Sequence, residues 1–271
     1  MKVTDWLRRI RFNPVLIKLA RFFRLHRLIR MMYYKFILFA GNKIKIRLFG
    51  YEAQFYARDL AECSDIENFL NDEWQENRVI EKIFLELRPQ DVAYDIGASV
   101  GTHSIFMALK ISSEGRVFAF EPELDSFKRL KDNILLNKIK NITPLQLALG
   151  DYSGEVSIRK MVCFVISNDD NFELANKAKL VKGDNFIKEN NLLLPNIVKI
   201  DVEGFEYNVI KGLESALRDK ACRMVVCEIH PAALPAGVKV DDLIGLLDSY
   251  GFKRKQIFKR ITELHAFFYK V

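Results

Sequence analysis

The sequence predicts an α/β fold: a mostly parallel sheet with helices on both faces, extended at the N-terminus by a helix and a β-hairpin. Three observations predict it. From residue 76 onward, short apolar runs alternate with amphipathic helical stretches, the order that winds a parallel sheet with right-handed crossovers. The run Val92-Ala93-Tyr94-Asp95-Ile96 has the near-continuous apolar character of a central parallel strand and passes through Gly97, Ala98 and Gly101 into a helical stretch, 102–110. Several of the apolar runs end in acids, at Asp95, Glu121 and Asp201, and ligands of open α/β sheets bind outside the carboxyl ends of strands.

The chain has 271 residues, enough to bury a full core. Its net charge of +7 is unevenly spread. Residues 1–50 hold 13 Lys/Arg against one Asp, a charge of +12, so the rest of the chain carries −5. This separates a basic N-terminal extension, 1–75, from a mildly acidic domain, 76–271. Residues 14–38 read as a helix starting near Pro14. Leu16, Leu19, Phe23, Leu25, Leu28, Ile29 and Met32 make an apolar stripe, and Arg21, Arg24, Arg27 and Arg30 a basic edge. Such a helix either lies on an anionic membrane surface or packs on the domain with its arginines solvated. No clean secretory signal is visible, and the run from Met31 to Ala40 is broken by Lys35 and too short to span a bilayer. The expected setting is cytoplasmic; the membrane-surface alternative would add peripheral contact at the inner membrane surface through residues 14–38.

Lys43 to Ala57 alternates like a hairpin around Gly50, residues 58–75 read as irregular and polar, and Glu76 to Leu87 reads as a helix with Val79, Ile80, Ile83 and Phe84 inward. Strands are then expected at 91–96, 115–120, 143–147, 196–201 and 223–228, with helices at 102–110, 123–137, 184–190 and 206–218. Residues 154–160 suit a short extra strand. A helix ending at Tyr250 precedes two runs, 252–258 and 263–269, that fit an antiparallel edge. Cys63, Cys163, Cys222 and Cys227 form no C-x-x-C pair. They give little support to a zinc or redox motif and suit a reducing compartment.

The turn Asp95-Ile96-Gly97-Ala98-Ser99-Val100-Gly101 is a nucleotide-type cradle. Its glycines leave room for a ligand to approach the backbone, and the first amides of the 102–110 helix can face that ligand. The spacing is neither G-x-G-x-x-G nor G-x-x-x-x-G-K-[ST], which argues against an ATP P-loop and weakens a dinucleotide reading without excluding it. Glu121 ends the strand Val117–Phe120 and is followed by Pro122, which cannot extend it. An acid there can accept hydrogen bonds from both hydroxyls of an adenosine ribose; the alternative is a helix-start charge. Asp201, Glu203 and Glu206 fall within six residues at the end of the 196–201 strand. This acidic rim suits a cation such as the sulfonium of S-adenosylmethionine, although Glu203 and Glu206 could simply favour a helix N-terminus.

The ordered set Asp95–Gly101, Phe120-Glu121-Pro122, Ala148-Leu149-Gly150, Lys199-Ile200-Asp201-Val202-Glu203-Gly204-Phe205-Glu206 and Glu228-Ile229-His230 resembles the FkbM family of methyltransferases. The resemblance covers about residues 76–230, and the D-V-E-G-x-E segment is its most specific part. It departs from the family at Ser99-Val100, where Asn followed by an apolar residue is commoner. The resemblance implies a class I, Rossmann-like methyltransferase fold that uses S-adenosylmethionine. It also implies, usually, O-methylation of a hydroxyl, on acceptors that include sugars and polyketide-type natural products. Asp95, Gly97, Ala98, Ser99, Gly101, Thr102, His103, Glu121 and Pro122 are the expected cofactor residues, and the resemblance adds Ala148 and Leu149 near the adenine.

For catalysis, His230 is the candidate general base because its reference pKa lies near neutrality. Asp201 would orient the cofactor's methionine end or the acceptor hydroxyl, with Glu203 and Glu228 beside it. A divalent metal held by Asp201, Glu203 and Glu228 is a further option that the spacing does not demand. The expected acceptor is a small molecule, a glycan or a lipid-linked compound, selected by the arm, residues 161–182 and the 231–239 loop. The oligomeric state stays open. Two rival readings remain. A nucleic-acid methyltransferase is suggested by the basic arm and opposed by the acidic domain and the lack of an N/D-P-P-Y/F stretch. A membrane- or partner-binding module that lost catalysis is opposed by the presence of Glu121 and Asp201.

Overall fold

The computed structural model describes residues 25–68, 76–160, 164–167, 176–259 and 262–270, together with residues 13, 15, 16, 18 and 22. The chain divides into two units, Met1–Glu76 and Asn77–Val271.

The first unit contains α1 (His26–Phe39), the hairpin β1 (Lys43–Leu48) and β2 (Tyr51–Tyr56), and α2 (Leu60–Asn68). Most of the expected helix between residues 14 and 24 lies outside the described residues. The strands pair antiparallel with Leu48 opposite Tyr51. Phe49 and Gly50 turn the chain with φ of 49° and 86°, the two positive angles of a two-residue hairpin turn that matches strand twist. Ile44, Ile46, Ala53 and Phe55 bury one face. The helix α2 corrects the expectation of an irregular 58–75 segment. Its sequence is polar, yet Cys63 and Ile66 bury one side. Asp59 Oδ1 accepts from the Glu62 amide, while Glu62 Oε2 accepts from the Arg58 amide, a reciprocal cap that starts the helix. Residues 69–75, with Trp74, lie outside the described residues.

The second unit is the α/β domain. Its elements are α3 (Glu76–Glu86), β3 (Val92–Ile96), α4 (Thr102–Lys110), β4 (Arg116–Phe120), α5 (Leu124–Leu136), β5 (Ile142–Leu145), β6 (Ala148–Gly150), β7 (Gly154–Lys160), β8 (Phe164–Ser167), β9 (Asn176–Lys182), α6 (Gly183–Glu189), β10 (Ile197–Ile200), α7 (Glu206–Gly212), α8 (Glu214–Arg218), β11 (Met224–Ile229), α9 (Val240–Ser249), β12 (Arg254–Lys259) and β13 (Leu264–Tyr269). Seven strands form one sheet in the order β12-β13-β11-β10-β3-β4-β5. The five from β11 to β5 run parallel, and β13 and β12 add the expected antiparallel edge.

Every residue of β3 and β10 is buried, because helices cover both faces of the sheet centre. Tyr94 packs on Phe118 and Phe120 with ring centroids 5.4 and 5.3 Å apart. At the strands' opposite end, Arg223 grips both carboxylate oxygens of Asp91 at 3.1 and 2.7 Å and donates to the Glu86 carbonyl at 3.1 Å. This fixes α3 to the feet of β3 and β11.

A second, four-stranded sheet in the order β6-β9-β7-β8 was only partly foreseen, through the 154–160 strand. Ala148 and Leu149 pair with Leu180 and Val181 of β9. The expected helix 206–218 is interrupted at Leu213, whose side chain is fully buried. Gly212 explains the location: a Cβ there would stand 1.7 Å from the Gly150 carbonyl oxygen, so α7 and β6 touch backbone to backbone. Cys63, Cys222 and Cys227 are buried free thiols; Cys163 lies outside the described residues.

Gly212→Ala therefore should destabilise the protein by about 3 kcal/mol, because neither backbone can yield without moving a buried element. Gly245, exposed within α9 with nothing near its missing Cβ, is the control. Gly245→Ala should gain about 0.8 kcal/mol from helix propensity. Urea unfolding of both variants gives the comparison.

Candidate active site

The site lies at the carboxyl ends of β3, β4, β10 and β11. Gly97 leaves β3 with φ +82°, and a Cβ on it would stand 1.8 Å from the Asp201 carbonyl oxygen. Gly101 opens α4 with φ +88°, and a Cβ there would meet Leu130 at 2.5 Å. Close packing on the Asp201 backbone requires a glycine at 97, and the left-handed φ favours one at 101. The turn between them brings the amide of Ser99, itself at φ 49°, onto Glu121.

Beneath the turn lies a buried polar group that spacing alone did not reveal. The Lys199 ammonium, 5% exposed, lies 3.4 Å from Asp95 Oδ1, 3.2 Å from Asp201 Oδ2 and 3.5 Å from the Gly97 carbonyl oxygen. Ser104 donates from its hydroxyl to Asp95 Oδ2. Asp95 is fully buried; it is a strut of the site floor. A lysine in the otherwise apolar Ile197–Ile200 strand was the available signal, since a buried cation needs a partner.

Glu121 is 6% exposed. Its Oε1 accepts from the Glu123 amide and its Oε2 from the Ser99 amide, both at 2.8 Å. Burial pushes its pKa up to about 7 against those two hydrogen bonds, helped by the nearby Glu123 and Asp95 charges. The helix-start role belongs to Glu123, whose carboxylate accepts from the Ser126 amide. Each oxygen of Glu121 keeps lone-pair capacity for a further donor.

The acidic rim closes around His230, which follows β11. Its Nδ1 lies 2.7 Å from Glu206 Oε1 and its Nε2 3.2 Å from Glu203 Oε2. Glu206 is fully buried and also accepts from the Gly204 amide at 2.8 Å. Burial opposes charge on His230. The Glu206 hydrogen bond and the Glu206, Glu203 and Asp201 charges outweigh burial and lift its pKa to about 9. The resting form at neutral pH is imidazolium, which changes the terms of the expected general base: this proton must leave first. Burial, with the Glu228 charge, raises Asp201 above the usual carboxylate range despite Lys199 and His230.

The anticipated metal set of Asp201, Glu203 and Glu228 is not the set that converges. Ligand atoms of Asp201, Glu203 and His230 lie within 4.8 Å of one another, while Glu228 pairs with His265 Nε2 at 3.3 Å. These three could hold a divalent cation, in competition with the His230 proton.

The remaining expected residues sort by position. Thr102, His103 and Ser104 begin α4, which has no side-chain cap at Gly101. His103 is buried, and burial followed by the Lys199 and His265 charges keeps it neutral. Ala98 is buried and Ser99 exposed, and Pro122 is half-buried beside Glu121. Ala148 and Leu149 are buried in the second sheet within the main apolar cluster.

The sequence matches those of known proteins. The methyltransferase FkbM domain profile matches residues 95–254. The chain belongs to the FkbM methyltransferase family. FkbM methyltransferases use S-adenosylmethionine. Hexuronic acid methyltransferase AglP of Haloferax volcanii is 32% identical over 199 residues, covering 73% of this chain and 77% of that protein. The 31-O-demethyl-FK506 methyltransferase FkbM of Streptomyces tacrolimicus is 26% identical, covering 62% and 75%. The solved structure of methyltransferase FkbM from Methylobacillus flagellatus KT shares the fold, with a TM-score of 0.52 at 16% identity. It aligns with 78% of this chain, which spans 54% of that one.

The raised pKa values of His230 and Glu121 fix the sign of a pH effect. His230 at about 9 favours the proton in the folded state, so its contribution is full below 6.5 and lost as pH rises through 9. Glu121 at about 7 also favours its proton when folded, and loses that contribution between 4.5 and 7. Stability should therefore fall from pH 5 to pH 9, each group accounting for about 3 kcal/mol at most. Denaturation midpoints across this window measure it, and His230→Gln should flatten the decline above pH 7.

Proposed function

We propose that this protein transfers the methyl group of S-adenosylmethionine to a hydroxyl oxygen of a sugar-containing or similarly polyhydroxylated acceptor, whether glycan, lipid-linked or natural product. The observation that carries the reading is the Glu206–His230 pair. A fully buried carboxylate fixes one imidazole nitrogen, so the other faces the acidic rim at the strand ends. The name of the relative AglP, a hexuronic acid methyltransferase, favours a sugar over the other acceptors.

When bound, S-adenosylmethionine supplies a methyl group on a cationic sulfur. On this reading Glu121 accepts from the ribose hydroxyls with its remaining lone pairs. The uncapped first amides of α4 receive the carboxylate of the methionine end. Asp201 faces the sulfonium side with a carboxylate made more basic by burial. Glu206 orients His230 and stabilises its charged form, the task of the carboxylate in an acid–histidine pair. The acceptor hydroxyl takes the place of Glu203 Oε2 at His230 Nε2. As its oxygen bonds to the methyl carbon and the carbon–sulfur pair returns to sulfur, the hydroxyl proton passes to Nε2. Most of the rate gain comes from holding oxygen, carbon and sulfur in line.

This assignment makes a distinctive pH demand. A base that rests protonated gives kcat/KM rising with pH up to an apparent pKa near 9, followed by transfer of labelled methyl to uronic-acid glycans. A profile flat from pH 6 to 9 would transfer the base role to Asp201. His230→Ala should lose about 10²–10⁴-fold in turnover and keep its affinity for S-adenosylmethionine. Glu121→Ala should abolish that affinity by calorimetry; unchanged binding would sink the ribose assignment.

A further inference from the structure

The first unit carries a surface that methyl transfer leaves unused. One face of α1 is committed to its own unit: Tyr33, Tyr34 and Ile37 are buried, and the Tyr34 hydroxyl donates to Glu67 Oε2 at 2.7 Å. A different face points to solvent. Leu25, Leu28, Ile29 and Met32 stand at i, i+3, i+4 and i+7, and Phe39 continues their line two turns on. They are 46%, 47%, 40%, 62% and 90% exposed. An apolar stripe on a solvent-facing helix marks a surface made to be covered.

Charge narrows what covers it. Lys35 is exposed at the border of the stripe, and Arg27 and Arg30 are exposed elsewhere around the same helix. No acid occurs between Asp5 and Glu52, and residues 1–50 sum to +12. A second copy of this chain would set +12 against +12. A nucleic acid would meet the cations and leave the leucine, isoleucine, methionine and phenylalanine side chains wet. An anionic bilayer surface accepts both, apolar side chains below the headgroups and cations among them. The 14 residues of α1 span about 21 Å, and no described helix is long and apolar enough to cross a membrane. A helix of this kind lies along the interface.

We propose that the exposed stripe of α1 seats the protein on an anionic membrane surface. The proposal stands independently of the methyl-transfer reading.

The test is co-sedimentation of the full chain with phosphatidylglycerol/phosphatidylcholine vesicles and with phosphatidylcholine vesicles alone. Binding is expected to the anionic vesicles, weakening at least about tenfold on neutral vesicles or at high salt. Ile29→Glu/Met32→Glu should lose at least about tenfold in vesicle affinity with an unchanged circular-dichroism melt. If that variant fails to fold, Arg27→Gln/Arg30→Gln should show the anionic-specific loss. Wild-type protein that ignores the vesicles, or a folded stripe variant that binds as wild type, overturns the proposal. So does a light-scattering dimer that the stripe variant dissolves, which would assign the stripe to a second copy.

Discussion

Lys199 is the group on which the site's geometry depends. Its ammonium is buried between Asp95 at the end of β3 and Asp201 at the end of β10, two carboxylates that would repel each other without it. The same strands meet where Gly97 lies against the Asp201 carbonyl. One cation and one missing side chain therefore set the distance between the Gly97–Gly101 turn and the acidic rim. Breaking a buried pair leaves an uncompensated charge, at a typical cost of 3–5 kcal/mol. Small changes at position 199 must then reach both halves of the site.

Both loops that leave the central strands hold residues in the left-handed region: Ser99 at 49° after β3, Glu203 at 53° and Gly204 at 107° after β10. Non-glycine residues adopt such angles at a cost, and they cluster where function over-determines the backbone. In each loop one amide serves a named contact. The Ser99 amide reaches Glu121, and the Gly204 amide reaches Glu206. Glu121 and His230 then carry pKa values displaced upward by their surroundings. Strained backbone and costly buried charge occur together because water has been exchanged for fixed protein dipoles, which lose less to reorganisation when charge moves.

The sequence exposed the sheet strands because each apolar run is local; β3, β4, β10 and β11 begin and end within a residue or two of their expected places. It concealed what depends on contacts between distant segments. The break at Leu213 follows from Gly212 meeting Gly150, and β6 is three residues long, too short for any periodicity. In β9, Lys177 and Lys179 alternate with Ala178 and Leu180, a pattern that suits an exposed segment as well as a strand. At the site, Asp201 and His230 were recognisable from the family pattern. Glu206 read equally well as a helix-start charge, because only the fold shows that its carboxylate is fully buried on His230. The Glu228–His265 pair arises from strand register alone, between residues 37 positions apart.

The charge at the strand ends also bears on turnover. Asp95, Asp201, Glu203, Glu206 and Glu228 meet Lys199 and His230 there, so carboxylates outnumber cations even with His230 protonated. Such a rim attracts a cationic donor and, in a partly desolvated setting, attracts it more strongly than water would. On the proposed reading, methyl transfer converts the sulfonium to a neutral thioether and leaves one more proton on His230. The reacted ligand has lost the charge the rim was holding, and the new imidazolium supplies it instead. Affinity for the spent cofactor should thus fall at the moment of transfer, which ties release of product to the same carboxylates that recruited the reactant.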